Sequence, residues 1–287
     1  MTIQKSNASA GGVLYLVPTP IGNFDDMTFR AVEILKSADY IYAEDTRVTK
    51  VLLSHFQISA PLFSYHIFNE DVKSEEIIDH LREGRKLALV SDAGLPGISD
   101  PGFLVARSAI EAGFPVISLP GPNAALTALI ASGLPCDKFF FFGFLNSKPN
   151  QRKKELSALI DYPETLIFYE APHRIQATLK DMYEVFGNRK AVIARELTKK
   201  FEEYLRGTLD EFANLIYELK GEIVIIVEGA EKTTLQKDLL ELPLQEHFQY
   251  YLNNGLSEKE AMKQIAKDRN ISKSGVYKEL MTKKRLL

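Results

Sequence analysis

Short apolar runs rich in β-formers alternate with helix-length stretches through the first two thirds of this chain, and that alternation limits the folds open to it. Val13–Val17, Tyr40–Ala43, Leu62–Tyr65, Leu87–Val90 and Val116–Leu119 read as strands. Between them Thr28–Lys36, Thr46–His55, Glu70–Glu83 and Leu104–Ala112 read as helices. Nearly continuous apolar strands separated by helices predict a mostly parallel sheet covered on both faces. Residues 13–120 are therefore expected to form an N-terminal α/β domain.

Pro120-Gly121-Pro122-Asn123 then punctuates the chain, and a small-residue apolar helix is expected over Ala124–Ser132. A second α/β domain over 121–230 follows, with strands at Phe139–Gly143, Leu166–Glu170, Ala191–Arg195, Glu203–Arg206 and Ile223–Val227. Its helices are expected at Arg152–Ile160, Arg174–Phe186 and Leu209–Leu219, and a hairpin at Glu203 makes its sheet mixed. From Glu231 onward the pattern is helical, with a helix-turn-helix in Glu258–Asp268 and Lys273–Thr282. Residues 1–12 are small and polar without the apolar stretch of a secretory signal, and are expected to form a flexible tail.

Composition fits this plan. Of 287 residues 45% are hydrophobic and 25% charged, which suits a globular chain and excludes disordered and fibrous classes. One cysteine, Cys136, cannot build a disulfide framework or a thiolate cluster, and fits a reducing, cytoplasmic setting. No apolar run approaches the roughly 18 residues of a membrane-spanning helix. The net charge of −3 hides an asymmetry, because residues 232–287 carry 11 basic and 7 acidic side chains. The average alone argues weakly against a nucleic-acid partner, but this helical region is locally basic.

The familiar phosphate loops G-x-G-x-x-G and G-x-x-x-x-G-K-[ST] are absent. His55, His66, His80, His173 and His247 are scattered, so no histidine metal site is expected. Instead, three Gly/Pro-rich turns each follow a strand, where open α/β sheets bind ligands. They are Pro18-Thr19-Pro20-Ile21-Gly22-Asn23, Ser91 through Gly102, and Pro120-Gly121-Pro122-Asn123-Ala124. Such residues also serve simply to turn a chain, but three on one sheet edge point to a site for a polar ligand. A fourth cluster, Glu44-Asp45-Thr46-Arg47, follows the second strand and is either a capped helix start or a substrate-handling group. A fifth, Phe168-Tyr169-Glu170-Ala171-Pro172-His173-Arg174, gathers an acid, an imidazole and a guanidinium at the end of a strand.

In this order, these motifs together with Phe142-Gly143-Phe144-Leu145 resemble the tetrapyrrole methylase superfamily, and within it the branch that methylates small-subunit ribosomal RNA. The resemblance covers about Val13 to Glu228. It implies two α/β domains with a cofactor cleft between them, S-adenosylmethionine as cofactor, a homodimer, and methylation of a cytidine ribose 2′-hydroxyl in the decoding centre of 16S rRNA. By the same resemblance the cofactor lies against Ile21, Val90, Ser91, Asp92 and Leu95, then Asn123, Ala124, Glu170 and Leu197. Tetrapyrrole enzymes carry V-G-x-G-P-G-D near the first strand and G-D-P in the main cofactor loop. Here Pro18-Thr19-Pro20-Ile21-Gly22-Asn23 and Ser91-Asp92-Ala93 stand instead, which favours the ribosomal branch.

The residue chemistry agrees. Phe168 or Tyr169 is expected to face the sulfonium cation. A ribose hydroxyl is weakly acidic, so a base is expected among Glu44, Asp45, Asp100 and Glu170, with Arg47 and Arg174 orienting phosphate. Methyl transfer needs no metal. RNA contact is expected from Arg152, Lys153 and Lys154, from Lys199 and Lys200, and from the tail between Lys259 and Arg285, notably Lys263 and Lys273. A tetrapyrrole methyltransferase and a non-catalytic ribosome-assembly factor of the same fold are the alternative readings.

Overall fold

β1 (Val13–Val17) is the organising strand, apolar along its length and buried at Val13, Leu14 and Val17. The computed structural model describes residues 4, 11–215, 219–231, 239–269 and 271–284. They form two compact units, Met1–Gly229 and Ala230–Leu287.

In the first unit β1 pairs in parallel with β4 (Lys86–Val90) and β5 (Val116–Ser118). β2 (Tyr40–Ala43) pairs in parallel with β4 and with β3 (Leu62–Ser64), giving the order β3-β2-β4-β1-β5. The sheet, expected to be mostly parallel, is parallel in every pair, with three of its strands differing from the expected bounds by one residue at one end. The helices are α1 (Phe29–Ser37), α2 (Thr46–His55), α3 (Glu70–Arg82) and α4 (Phe103–Glu111). One face of the sheet packs Leu35, Ile41, Leu53 and Val90, and the other packs Leu14, Tyr42, Ile77, Leu81 and Leu87. Each such side chain, fully buried, contributes about 1.5–3 kcal/mol. Of the segment expected as a tail, residues 1–3 and 5–10 lie outside the described residues. The Gln4 amide exchanges two 3.0 Å hydrogen bonds with the Val116 backbone on edge strand β5.

α5 (Ala124–Ser132) starts on Asn123, whose side chain accepts from Leu126 N–H, and ends at Gly133 in the left-handed region. Its Ala125, Ala128 and Leu129 pack with Ile21 against a second sheet, on Ile167, Val192, Ala194, Val224 and Ile226. That sheet runs β6 (Phe139–Phe144), β7 (Thr165–Glu170), β10 (Ile223–Val227), β8 (Lys190–Arg195), β9 (Glu203–Thr208). β6 and β7 are parallel, and the other pairs antiparallel, so the sheet is mixed as expected from the hairpin. α6 (Pro149–Ser157), α7 (Ile175–Phe186) and α8 (Leu209–Ala213) bury Leu156, Leu179, Met182 and Phe212 on its other face. α8 is shorter than the reading to Leu219, since Asn214 has left helical geometry and residues 216–218 lie outside the described set.

In the second unit α9 (Leu244–Asn253), α10 (Glu258–Asp268) and α11 (Lys273–Lys284) pack around Leu244, Ile265, Val276 and Leu280. Ser257 starts α10 with a reciprocal capping box to Glu260. The expected helix-turn-helix is α10 and α11, and α9 precedes it within the helical region expected from Glu231 onward. Among the described residues no helix is long and apolar enough to cross a membrane.

Candidate active site

All five strands of the first sheet end on one edge, and their following residues meet there. Glu44 follows β2, Tyr65 and His66 follow β3, Ser91 and Asp92 follow β4, and the prolines 18 and 120 follow β1 and β5. Two of these loops are tied directly: Thr19 N–H donates to Gly94 O at 2.9 Å and Gly94 N–H donates back to Thr19 O at 3.0 Å. The Thr19 hydroxyl donates to Ser91 O and the Ser91 hydroxyl to Gly94 O, each at 3.0 Å. Gly94 has φ +83°, a conformation that favours glycine. A Cβ on Gly121 would lie 2.4 Å from Pro18 Cγ, so the loops after β1 and β5 also touch.

Below this edge lies a cavity of about 320 Å³, walled on the other side by the second sheet. Ile21, Leu95, Ile98, Ala124, Leu197, Ile223 and Val224 give it apolar walls; Ser99, Asp100, Asn123 and Tyr169 add polar groups. That mixture suits an organic ligand with a few fixed polar contacts. Ser99 (φ 61°), Glu196 (φ 50°) and Thr198 (φ 64°) hold left-handed backbones on or beside this wall, each at a cost of about 1–3 kcal/mol. Lys199 bridges Glu196 Oε1 and Glu222 Oε2 at 3.0 Å each, fixing the turn that presents Leu197.

The carboxylates differ sharply. Asp100 lines the cavity, and its pKa is pushed up to about 7 by burial and then by the charges of Glu44 and Asp92. Glu44 is raised by burial and by Asp92, an effect that the neighbouring His66 opposes. Asp92 is raised by burial while accepting Asp45 N–H at 3.0 Å. Asp45 instead caps α2 and takes the Arg47 guanidinium at 2.6 Å, which together hold it down to about 2. Glu170 is fully buried and accepts from Ala171 N–H at 2.7 Å, from the Thr178 hydroxyl at 2.6 Å and from Arg174 Nε. Its lone pairs are thus occupied by the chain itself.

Of the residues singled out in the sequence, the structure gathers Ile21, Leu95, Asp100, Asn123, Ala124, Glu170 and Leu197 around one cavity. Val90 and Ser91 are buried behind it, and Glu44 and Asp92 stand beside Asp100 on the strand edge. Tyr169 lines the cavity, whereas Phe168 is wholly buried on the opposite face of the second sheet, so of the two only Tyr169 can face a ligand. Gly221–Val224, ahead of and within β10, and His66 were not anticipated. His66 read as one of five scattered histidines, and only the parallel register beside Glu44 gives it a place.

Several basic side chains are committed elsewhere. Arg152, expected on an RNA face, is 3% exposed and bound to Asp181 at 2.6 Å. Burial of a charge demands such a partner, so that expectation is corrected. Lys153 pairs with Glu184 at 2.6 Å, Arg174 is held by Glu170, and Lys199 closes the Glu196–Glu222 bridge. Arg47 is exposed but paired with Asp45. Lys154 and Lys200 are exposed, as are Lys259, Lys263 and Lys267 at four-residue spacing on α10 and Lys273 at the start of α11. Arg285 lies outside the described residues. Among the described residues no cluster of His, Cys, Asp and Glu is arranged to hold a metal.

A parallel sheet whose loops close over a cavity against a second, mixed sheet is a methylase architecture: the family model for Tetrapyrrole (Corrin/Porphyrin) Methylases matches residues 13–213. The chain belongs to that family. Among its relatives, ribosomal RNA small subunit methyltransferase I of Bacillus subtilis is 49% identical over 271 residues, covering 93% of each chain. The protein of the same name from Halalkalibacterium halodurans is 52% identical over 270 residues, again covering 93% of each. Among solved structures, uroporphyrin-III C-methyl transferase from Thermus thermophilus, complexed with S-adenyl homocysteine, aligns with a TM-score of 0.55 at 20% identity, covering 76% of this chain and 97% of that one. The methyltransferase CobJ aligns with a TM-score of 0.57 at 21% identity, covering 77% and 95%.

Proposed function

We propose that this chain methylates small-subunit ribosomal RNA with S-adenosylmethionine, and that the acceptor is the ribose 2′-hydroxyl of a cytidine in the decoding centre of 16S rRNA. The observation that carries the reading is the near-full-length identity of 49% and 52% to proteins named for that RNA. We further propose that it acts in the cytoplasm as a homodimer, with residues 13–120 and 121–230 enclosing the cofactor and 231–287 contacting RNA.

The residues present fit S-adenosylmethionine. The apolar walls at Ile21, Leu95, Ala124 and Leu197 suit an adenosyl group, while the Tyr169 ring offers a π face to a cation. When bound, S-adenosylmethionine supplies a methyl group already activated on a sulfonium. The chain must position the acceptor oxygen and remove its proton, and orientation alone can contribute about 7–11 kcal/mol.

Asp100 is the carboxylate best placed for the proton. It opens on the cavity, and its pKa of about 7 suits a base at neutral pH. Glu44 stands behind it as a second site for that proton, since one negative charge in the pair raises the affinity of the other for a proton. Asp45 and Glu170, the other candidates, are tied into a helix cap and a buried ion pair. The exposed lysines of α10 and α11 supply a phosphate-binding face.

Incubation with methyl-labelled S-adenosylmethionine and, in parallel, unmethylated 30S subunits, naked 16S rRNA and a uroporphyrinogen tests the acceptor class. Label in the RNA is expected. Label in the tetrapyrrole alone, or no transfer despite cofactor binding, contradicts the proposal.

A further inference from the structure

The turn after β3 holds two apolar side chains in solvent beside the carboxylates. His66 N–H donates to Asn69 Oδ1 and Asn69 N–H donates to His66 O, both at 2.8 Å, so the turn is closed at both ends. The Asn69 amide also reaches Ser64 O and Oγ at 3.4 Å, tying the turn to its strand. On this fixed frame Phe68 is 94% exposed and Ile67 68% exposed. The Phe68 ring stands edge-on to the His66 imidazole, with centroids 6.0 Å apart. His66 comes two residues after β3, whose neighbour β2 is followed directly by Glu44, and the imidazole is close enough to oppose the upward shift of that carboxylate.

The order along the sheet edge gives the turn a direction. The cavity lies under the loops of β1, β4 and β5; Asp100, Asp92 and Glu44 lead from it towards β2, and the turn stands on the next strand outward. Asp100, the base of the reading above, must meet the acceptor oxygen, so the acceptor comes to the carboxylate side of the cavity. We infer that Phe68, backed by His66, is the surface on which an unpaired nucleobase of the RNA substrate stacks, while the ribose of the acceptor nucleotide reaches Asp100. The inference rests on the RNA reading above. Single-stranded bases are commonly gripped by aromatic rings, because every base has a π face whatever its sequence.

The test compares Phe68→Ala, Phe68→Leu and Phe68→Trp in the full-length protein, measuring methyl transfer to unmethylated 30S subunits, S-adenosylmethionine affinity by calorimetry, and mass by sedimentation equilibrium. Alanine and leucine are expected to raise KM for subunits by about tenfold, in the range of one lost base–aromatic stack. Tryptophan restores it, and cofactor affinity and mass stay unchanged. An unchanged KM in the alanine variant, or leucine acting as well as tryptophan, overturns the stacking role. A change of mass in the alanine variant assigns the ring to a contact between protein chains and overturns it too. Wild-type transfer to a tetrapyrrole alone is the distinct result that removes the parent reading and this inference together.

Discussion

Thr19 and Gly94 are locked together by two reciprocal backbone hydrogen bonds, 2.9 and 3.0 Å long, joining the loops after β1 and β4 although 75 positions separate them. The clip sets the roof of the cavity, because Ile21 lies two residues beyond Thr19, and Ala93, Gly94 and Leu95 line the wall. Gly94 makes the clip with φ +83°.

Gly94→Ala is expected to cost about 1–2 kcal/mol of stability from the left-handed backbone alone. A methyl there meets Ile21 Cγ2 at 3.5 Å and Pro122 O at 3.6 Å, so space is not the obstacle. Gly121→Ala is expected to cost more, since its Cβ would fall 2.4 Å from Pro18 Cγ. Urea denaturation reads the first effect, and calorimetry with S-adenosylmethionine reads the loss of affinity expected in both variants.

Asp100→Asn is expected to abolish most methyl transfer while cofactor affinity persists. Asp100 is the base only when ionised, so wild-type kcat/KM should rise with pH through about 7 and level off above it. Stability runs the other way. A carboxyl raised from 3.8 to about 7 on folding favours the protonated native state, so its contribution is present at low pH and lost as pH rises through about 7. The asparagine variant should therefore gain thermal stability at pH 8, by roughly 1 kcal/mol once solvent screening is allowed for. Flat pH dependence in the wild type contradicts the assignment.

Arg152→Ala is expected to destabilise the protein by about 3 kcal/mol, because buried Asp181 loses its close partner and keeps only Lys153, 3.5 Å away. Denaturant unfolding measures this. Lys153→Ala, whose side chain is more exposed, should change stability by less than about 1 kcal/mol.

Replacing Lys259, Lys263 and Lys267 together by alanine is expected to weaken binding to small subunits and to lower the slope of log affinity against log salt by about 2. Filter binding across a salt series checks this. An unchanged slope removes α10 from the RNA face.

The alternation of apolar runs and helices made both sheets legible, and β1, β2, β10, α2, α5 and α10 have the bounds read from the sequence. Strand-end motifs located the cavity because in a parallel sheet every strand delivers its loop to the same edge. Charge state was less legible. Asp45 and Asp100 are the same residue type in equally polar loops, yet a guanidinium holds one at about 2 and burial lifts the other to about 7. Arg152 looked like part of a solvated basic run because its partner Asp181 is 29 residues away on α7. His66 and Glu44 become neighbours only through the β2–β3 register, which no local pattern records.

The acceptor atom is what distinguishes ribose methylation from every other methyl transfer to RNA. Digestion of 30S subunits after reaction with methyl-labelled S-adenosylmethionine, followed by mass spectrometry of the nucleosides and of the RNA fragments, locates the methyl group. A 2′-O-methylcytidine in a decoding-centre fragment of 16S rRNA is expected, and much less of it with Asp100→Asn. Label on a base, in another fragment, or on no RNA at all contradicts it.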